Sequence, residues 1–393
     1  MPKQYRTRTD RQNNFISMFD ASTGFYMRSG IIRAGVDSGV DPFMSSFPEL
    51  IDIGIMGTCN HGKRGFCMQS GVQCYQQGTR VSYPNMHLHD FERIIDEARG
   101  QVYQVALGGR GDPNDHESFE DMLRYCCYNE IVPNYTTSGY LLTEKQAKAS
   151  SEYCGAVAVS WYNSPHTLSA IDLLLGYGVK TNVHFVLSNS SIDHAIEVMS
   201  KGLQSLFGSS NPSSSRSALN AIVFLLHKPI GLGSYENVLR VSDPRVRHFF
   251  ELVSDGMLNE NKNATKIGFD SCSVPALINY SKDIDAVSFD TCEAARWSMY
   301  ISADMRAKPC SFDMSQGFDL NNGTISDAWH SERFAEFRAI LSSACISCKD
   351  RSICLGGCPI EPQIVLCQDK HLSDQVLDNN GVMVTPLQVE KQP

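Results

Sequence analysis

The cysteines that follow the first strongly apolar run are the residues of this sequence best suited to chemistry. Cys59, Cys67 and Cys74 lie in a glycine-broken segment directly after the apolar run of residues 50–56. Three thiolates on one loop give a metal centre three ligands and leave a coordination position open, whereas closed structural sites use four protein ligands. On these residues alone two interpretations stay open. One is a catalytic metal centre, and the other is a zinc-binding turn or a set of unrelated buried cysteines.

A second group of cysteines lies near the C-terminus. Five of them have the spacing C-x2-C-x5-C-x3-C followed by one more cysteine: Cys345, Cys348, Cys354, Cys358 and Cys367. A C-x2-C turn brings two sulfur atoms to one metal or cluster, and the pair Gly356-Gly357 lets the chain turn tightly around it. Three further thiols lie upstream, at Cys272, Cys292 and Cys310. The total is enough for two four-cysteine clusters, and the spacing indicates metal while leaving zinc and iron open.

The composition restricts the class of protein. The chain has 393 residues, of which 42% are apolar and 20% charged, with a net charge of -9, as in an ordinary globular protein. Since Lys and Arg form no long runs, a nucleic-acid partner is not favoured. The basic N-terminus lacks a following apolar segment, and the run 221–226 is too short to cross a membrane. We therefore expect a cytoplasmic protein whose 14 cysteines serve metal or redox chemistry, apart from buried thiols at Cys126, Cys127 and Cys154.

The elements that must position these cysteines follow a regular order. Residues 1–48 are polar and contain a predicted β-hairpin over 15–28, to which we assign no chemistry. From residue 49 to 255 strands and amphipathic helices alternate. The predicted strands are 51–56, 102–107, 131–136, 155–160, 181–187 and 219–226. The predicted helices are 86–99, 116–128, 144–153, 167–175, 192–203 and 245–253. Six such units predict an α/β fold with a parallel sheet, either doubly wound or curved into a barrel.

Ligands of such folds lie at the carboxyl ends of the strands, where the cysteine loop begins. The second strand ends in the turn 108–113, with the sequence Gly-Gly-Arg-Gly-Asp-Pro, whose backbone can approach a ligand closely or simply form a tight turn. Six polar residues lie within or after later strands: Asn134, Thr137, Ser138, Ser160, Asn182 and His184. Together they can hydrogen-bond a sugar or an amino acid, but for any one of them a solvated loop residue or a cap is the favoured interpretation. His184, within an apolar strand, can also be a satisfied core histidine.

The strand–helix alternation stops after about residue 260. A serine-rich surface loop is predicted at 205–217, and a domain boundary between 255 and 268. The cysteine-rich domain is expected to span 265–370, followed by a tail at 371–393 without an assigned role.

Taken together, these residues resemble the radical S-adenosylmethionine (SAM) enzymes that carry a C-terminal SPASM domain. The resemblance implies a partial (β/α)6 TIM-type barrel over roughly 51–253, followed by a small iron–sulfur domain. The SPASM pattern opens with C-x(9–15)-G-x4-C, which Cys292 and Cys310 fit, with Met305 at the position of the glycine. The cysteines from Cys345 to Cys367 fit the remainder of that pattern.

The resemblance also implies ligands and cofactor contacts. One auxiliary [4Fe-4S] cluster would be held by Cys345, Cys348, Cys354 and Cys367. The other would be held by Cys292, Cys310 and Cys358, with Cys272 as the fourth ligand. Gly108, Gly109 and Pro113 match an element that contacts the SAM amino group, and Ser160 has a position typical of a ribose or carboxylate contact. The opening loop has the spacing C-x7-C-x6-C in place of the usual C-x3-C-x2-C, and Tyr75 takes the place of the aromatic residue near its last cysteine.

The function implied by this resemblance starts from a third [4Fe-4S] cluster, ligated by Cys59, Cys67 and Cys74 and by SAM. Reductive cleavage of SAM would give a 5′-deoxyadenosyl radical that abstracts hydrogen from a substrate. The expected substrate is a peptide or protein side chain, which becomes crosslinked or oxidised, and a reductase or flavodoxin-type protein would donate the electron. Two alternatives stay open: a small-molecule radical SAM dehydrogenase, and a non-enzymatic zinc-ribbon interaction protein.

Overall fold

The computed structural model describes residues 5–63, 67, 71, 73–202, 206, 219–258, 265–281, 284–285 and 288–367. The chain divides into two compact units. The first contains Met1–Val72, Gln76–Thr181 and Ala294–Glu336, and the second contains Gln73–Tyr75, Asn182–Glu293 and Phe337–Pro393.

The first unit begins with a three-stranded antiparallel sheet. Its strands are β1 (Tyr5–Asp10), β2 (Phe15–Asp20) and β3 (Tyr26–Arg28). The turn between β2 and β3 is closed by the carboxylate of Asp20, which accepts hydrogen bonds from Ser22 and Thr23. The ring of Phe19 stacks on Tyr103 at 5.4 Å between centroids. A two-stranded ribbon follows, with β4 (Ile32–Arg33) and β5 (Val36–Asp37).

A larger sheet forms the centre of the first unit. In spatial order its strands are β9 (Val157–Ser160), β8 (Val132–Thr137), β7 (Gln104–Gly109), β6 (Leu50–Met56), β13 (Ser298–Ile301), β14 (Arg306–Lys308) and β15 (Phe318–Asp319). The strands from β9 to β13 are parallel, and β14 and β15 are antiparallel additions. The pairing of β13 with β6 brings a segment from far along the chain to the strand that precedes the cysteine loop.

Helices follow the parallel strands of this unit. They are α1 (Asn60–Lys63), α2 (Leu88–Ala98), α3 (Phe119–Tyr128), α4 (Glu144–Tyr153), α5 (Pro165–Gly176) and α9 (Ile325–Trp329). The residues that α2 buries recur at helical spacing: Phe91, Ile94, Ile95 and Ala98. The N-terminus of α4 is a capping box formed by Thr143 and Gln146, and α5 starts with Ser164 as its N-cap and Pro165 in its first turn.

The two faces of β6 differ in character. Ile51, Ile53 and Ile55 are fully buried, while Asp52 and Gly54 point to the opposite face because side chains alternate along a strand. Residues paired across neighbouring strands share a face. Asp52 pairs with Ala106 of β7 and Tyr300 of β13. We call the side of the sheet that bears Asp52, Gln104, Asn134, Ser160 and Tyr300 the polar face.

The second unit also contains parallel strands and helices. Its strands are β10 (Thr181–Leu187, apart from its first residue), β11 (Ala221–Leu226) and β12 (Lys266–Phe269). Its helices are α6 (Ile192–Lys201), α7 (Pro244–Leu258), α8 (Val274–Tyr280) and α11 (Arg351–Cys354), while α10 (Glu332–Ser343) contains the boundary at Glu336. The rings that pack in its core are Phe224, Phe249, Phe250 and Phe269.

The predicted fold class is confirmed. Six parallel strands alternate with helices in the predicted order, with bounds that differ from the predicted ones by only a few residues, as in a partial TIM-type barrel. Neither β12 nor β13 was predicted from the sequence. Apart from Leu206, the serine-rich stretch 205–217 and the tail 371–393 lie outside the described residues. Within the described part of the chain, every helix is too short or too polar to cross a membrane.

Candidate functional site

Cys59 lies just beyond the carboxyl end of β6, pressed against two glycines. A Cβ atom at Gly111 would lie 2.6 Å from the carbonyl oxygen of Thr58, and one at Gly78 would lie 2.8 Å from the Cβ of Cys59. Real Cβ atoms do not tolerate such distances, so both positions require glycine. The thiol-bearing residue is therefore held in a fixed place, and only 7% of its surface is exposed.

His61 joins the cysteine loop to the glycine-rich turn. Its Nε2 lies 2.9 Å from Oδ2 of Asp115 and 3.7 Å from Oδ2 of Asp112, and the residue is only 2% exposed. Its ring also packs edge-on against Tyr140. A buried hydrogen bond between His and Asp fixes the orientation of both side chains. The loop after β6 and the turn after β7 are thus tied together.

Asp112 extends this connection to the end of β8. Its Oδ2 accepts hydrogen bonds from the Ser138 amide at 2.8 Å, the Ser138 hydroxyl at 2.7 Å and the Thr137 hydroxyl at 2.9 Å. Burial raises the pKa of Asp112, while His61 and these donors favour its ionised form. Thr137 and Ser138, which we considered as ligand contacts, hold this carboxylate in place.

The turn after β7 approaches β6 closely. Gly109 has a φ of 120°, and a Cβ there would lie 2.5 Å from the carbonyl oxygen of Met56. The amide of Arg110 donates to the same oxygen at 2.9 Å, and its guanidinium lies 4.3 Å from the Tyr83 ring centroid. Pro113 is buried and opens a short 3-10 helix, Pro113–Asp115. The backbone freedom predicted for this turn is used for packing against β6. Contact of Gly108, Gly109 or Pro113 with SAM stays a prediction.

The other cysteines of the opening segment are placed separately. Cys67 is half-buried, and the residues on both sides of it lie outside the described part. Cys74 is also half-buried and belongs to the second unit, where its carbonyl accepts a hydrogen bond from Leu232 at 3.0 Å. Gly231 is packed on the next residue, since a Cβ there would lie 2.1 Å from the Tyr75 carbonyl oxygen. Joint ligation of one cluster by Cys59, Cys67 and Cys74, and a cofactor contact of Tyr75, stay predictions.

The polar residues expected at strand ends have different surroundings. Asn134 donates to Oε1 of Gln104 at 3.1 Å and accepts from the Ala156 amide, while Ser160 ends β9 on the polar face. In the second unit, Asn182 accepts a hydrogen bond from Asn220 at 2.7 Å. Burial lowers the pKa of His184 to about 4, as expected for a neutral core histidine. Contact of Ser160 with a ligand stays a prediction.

Asp52 is an ionisable residue on the polar face that the sequence analysis did not single out. It is half-buried and forms no hydrogen bond or ion pair with the residues that the structure describes. Burial of its carboxyl group raises its pKa to about 7. A single Asp within an apolar strand carries no spacing signal, so only the structure reveals it.

Three C-terminal cysteines of the second unit lie near a fourth, Cys354. The pKa of the Cys354 thiol is raised to about 12, mainly by burial and also by the nearby Cys367, Cys345 and Cys348. The chain bends here through three successive left-handed residues, Leu355, Gly356 and Gly357. A Cβ at Gly356 would lie 2.6 Å from that of Ala344, so the predicted need for glycine has a steric cause.

Cys272 and Cys358 form a second pair in this unit. Their thiols are hydrogen-bonded, which, together with burial, raises the pKa of Cys272 well above its usual value. The buried Lys228 counteracts this rise, and its Nζ donates to Asp270 at 2.6 Å. Sequence reasoning missed Lys228 and Asp270, which no motif marks.

The two cysteines expected to complete that set lie in different units. Cys292 is buried in the second unit, where the hydroxyl of its neighbour Thr291 donates to the Cys354 carbonyl at 2.6 Å. Cys310 is half-buried in the first unit. Met305, at the position where the SPASM pattern has glycine, adopts a φ of 59°. The left-handed backbone that favours glycine is therefore kept with another residue.

No group of three His, Cys, Asp or Glu side chains that could hold one metal ion occurs among the described residues. In a [4Fe-4S] cluster each cysteine ligates a different iron atom. The four cysteine sulfur atoms therefore surround the whole cluster and lie farther apart than the ligands of a single metal ion. Assignment of the eleven predicted cysteine ligands to clusters therefore stays a prediction.

Replacing His61 by alanine tests the connection between the loops. His61→Ala leaves the half-buried carboxylates of Asp112 and Asp115 without their imidazole partner. We expect the free energy of unfolding to fall by about 1–3 kcal/mol, measured by urea denaturation. Amide hydrogen exchange should also rise at residues 57–62. Asn60→Ala, at an exposed neighbouring position, is the control and should change stability little. Equal stability of the two variants would contradict the connection.

Asp52 should make stability depend on pH. Its folded-state pKa of about 7 lies above the ordinary value of 3.8. Its contribution to stability is therefore fully present below about pH 4 and lost as the pH rises through about 7. Asp52→Asn removes this dependence. As the pH rises from 5 to 8.5, the wild type should lose this stability and the variant should not. At about 1.4 kcal/mol per pKa unit, the difference in the free energy of unfolding should therefore shift in favour of the variant by up to a few kcal/mol. Urea denaturation at both pH values measures this gain. For Asp121→Asn, at an exposed position on α3, the difference should stay constant with pH.

Comparisons with known proteins identify the fold. No family model and no curated protein matches the sequence. Among solved structures, the chain is similar to Streptococcus suis SuiB bound to precursor peptide SuiA, with 17% identity, a TM-score of 0.61, and coverage of 83% of this chain and 76% of that chain. It is similar to SuiB bound to S-adenosylmethionine, with 17% identity, a TM-score of 0.60, and coverage of 80% and 74%.

A further similarity is to native anSMEcpe with bound AdoMet and Cp18Cys peptide. The identity is 19%, the TM-score is 0.56, and the coverage is 82% of this chain and 91% of that chain. At these identities the likeness concerns the fold. The chain has the fold of these AdoMet-bound and peptide-bound proteins, and the resemblance inferred from its cysteines and strands is confirmed at that level.

Proposed function

We propose that this protein is a radical SAM enzyme that abstracts hydrogen from a side chain of a peptide or protein, leading to a crosslink or an oxidation. The observation that carries the proposal is the tie between the Cys59 loop and the glycine-rich turn through His61 and Asp115. This tie lies at the carboxyl edge of a parallel sheet, where α/β enzymes bind their ligands. Solved structures with the same fold contain AdoMet and peptides.

In this proposal Cys59, Cys67 and Cys74 hold a [4Fe-4S] cluster. When bound, the cluster and SAM together supply a 5′-deoxyadenosyl radical. The fit rests on Cys59, whose backbone is fixed by Gly78 and Gly111 so that the thiol has a defined position. Such fixing is what a reactive centre needs, because small displacements of reacting groups cost rate.

Other residues of the same edge bind and orient SAM. The backbone of Gly108 and Gly109 offers hydrogen-bonding groups to its amino group, and Pro113 ends the turn. A Cβ at Gly108 would meet nothing within 4 Å, so this glycine leaves open space beside the strand end. Ser160 offers a hydroxyl on the polar face. Tyr75, a residue of the second unit, is proposed to offer an aromatic ring for the adenosyl group.

The cysteines of the second unit are proposed to hold auxiliary [4Fe-4S] clusters. The proximity of Cys345, Cys348 and Cys367 to Cys354 supports one cluster, and the hydrogen-bonded pair Cys272 and Cys358 supports part of another. Cys292 and Cys310 would complete the second. These clusters would take the electron released by the substrate or bind the substrate directly. A reductase or a flavodoxin-type protein would reduce the SAM-binding cluster.

A triple variant tests the proposal. Cys59, Cys67 and Cys74 are replaced by alanine, and the anaerobically reconstituted protein is incubated with SAM and dithionite. We expect about four fewer iron atoms per chain and no 5′-deoxyadenosine, measured by chemical iron analysis and liquid chromatography.

The matched control removes the same number of thiols from helix ends, with Cys126, Cys127 and Cys154 replaced by alanine. This variant should keep its iron and its 5′-deoxyadenosine production. Production by the loop variant at the wild-type rate would contradict the assignment. Zinc in place of iron in the wild type would favour the alternative of a non-enzymatic zinc-ribbon interaction protein.

The auxiliary site has a separate test in Gly356→Ala. An alanine at a φ of 79° would meet Ala344, and the displaced chain should lose the iron of the adjoining cluster. Gly178→Ala is the matched control, because its φ of 74° imposes similar strain while nothing lies within 4 Å of the added atom. We expect about four fewer iron atoms in Gly356→Ala only. Equal iron in both variants would count against a cluster at this turn.

A further inference from the structure

The polar face of the central sheet carries one charged group. Neither lysine, arginine nor histidine occurs among its residues on β6, β7, β8, β9 and β13, and its one acidic side chain is that of Asp52. When ionised, this carboxyl group therefore gives the face a single negative charge without a compensating cation on these strands.

The polar groups on the strands beside Asp52 are uncharged and do not neutralise its carboxylate. Tyr300, its partner in register on β13, has its hydroxyl 3.4 Å from Nε2 of Gln76. That hydroxyl occupies the space over Gly54, where a Cβ atom would lie 2.4 Å from it. Gln104, on the adjoining strand, already accepts a hydrogen bond from Asn134. Among the described residues no donor contacts the Asp52 carboxylate.

An unpaired carboxylate among protein atoms is costly. It either takes up a proton or binds a cation, since transfer of an isolated charge from water into protein is strongly unfavourable. Burial raises the pKa of Asp52, and no partner among the described residues lowers it again. Uncompensated charges of this kind occur at functional sites more often than in structural cores.

The position of Asp52 relates it to the proposed SAM site. It lies two residues before Gly54, which pairs with Gly108 at the start of the glycine-rich turn. Two residues of a parallel strand span roughly 7 Å. The space over Gly54 is taken by the Tyr300 hydroxyl, but a Cβ at Gly108 would meet nothing within 4 Å. An extended side chain that enters from the carboxyl edge could therefore place its end group at Asp52 while its carbon stem passes Gly108.

We propose that Asp52, with the ring and hydroxyl of Tyr300 beside it, is a subsite that binds the positively charged end of a lysine or arginine side chain of the peptide substrate. The proposal rests on the proposed function and adds the chemical class of the substrate residue. An ammonium or guanidinium group satisfies the carboxylate through charge-assisted hydrogen bonds, and the tyrosine ring adds a cation–π contact. The stem of the same side chain then lies beside the strand ends at which hydrogen is abstracted.

Binding of two small probes tests this subsite without SAM cleavage. N-acetyl-lysine methylamide and N-acetyl-norleucine methylamide have similar stems and differ in the charged end. Their affinities for the reconstituted full-length protein are measured by saturation-transfer NMR at pH 8. We expect the lysine probe to bind about tenfold more tightly, equivalent to about 1.4 kcal/mol. We expect Asp52→Asn to reduce this ratio to less than about twofold.

The pH provides a second readout that a merely structural role would not change. In the wild type the preference for the lysine probe should decline between pH 8 and 5.5, as Asp52 takes up a proton. Asp121→Asn, the exposed control, should keep the wild-type preference at both pH values. Equal affinity of the wild type for the two probes, or an undiminished preference in Asp52→Asn, would overturn the subsite. Failure of the proposed function would instead appear as absent 5′-deoxyadenosine in the wild type, which this binding assay does not measure.

Discussion

The buried carboxylate of Asp112 is the group on which the geometry of the first unit's sheet edge depends. It accepts hydrogen bonds from Thr137 and Ser138 after β8 and lies 3.7 Å from Nε2 of His61 in the loop after β6. A buried charge is tolerated only when it is well hydrogen-bonded, so all three segments must be in place together. The loop that carries Cys59 therefore takes its position from two neighbouring strands as well as from its own sequence.

The second unit fixes its cysteines in another way. Three successive left-handed residues bend the chain after Cys354, and the close contact of Gly356 with Ala344 leaves no room for a side chain. Beside Cys272 and Cys358, the ion pair of the buried Lys228 with the half-buried Asp270 supplies charges of both signs. In the second unit the cysteines are therefore positioned by steric restriction and by an ion pair, whereas in the first unit hydrogen bonds between loops position Cys59.

Features that depend on local sequence patterns could be predicted from the sequence, whereas features that depend on contacts between distant segments could not. The six strand–helix units were predicted because apolar periodicity is local, and Gly356 and Gly357 were marked because tight turns restrict residue type locally. The pairing of β13 with β6 was missed because β13 has only four residues, Ser298–Ile301, and lies outside the region in which strands and helices alternate in the sequence. His61, Asp112 and Asp52 were missed for a related reason. Their roles come from partners, or from the lack of partners, on other strands, and a single polar residue gives no spacing to read.

The late arrival of β13 has a consequence for biogenesis. Arg296 and Trp329 donate hydrogen bonds to the carbonyl oxygens of Phe43 and Ser45. The amide and hydroxyl of Ser45 both donate to the carbonyl oxygen of Arg296, which is 251 positions away. At ribosomal elongation rates, this separation corresponds to roughly ten seconds to a minute. During that time one edge of β6 has no strand beside it, and unpaired edges invite association with other chains. Slower translation prolongs this exposure, so yield in a heterologous host should depend on chaperones that shield nascent strands.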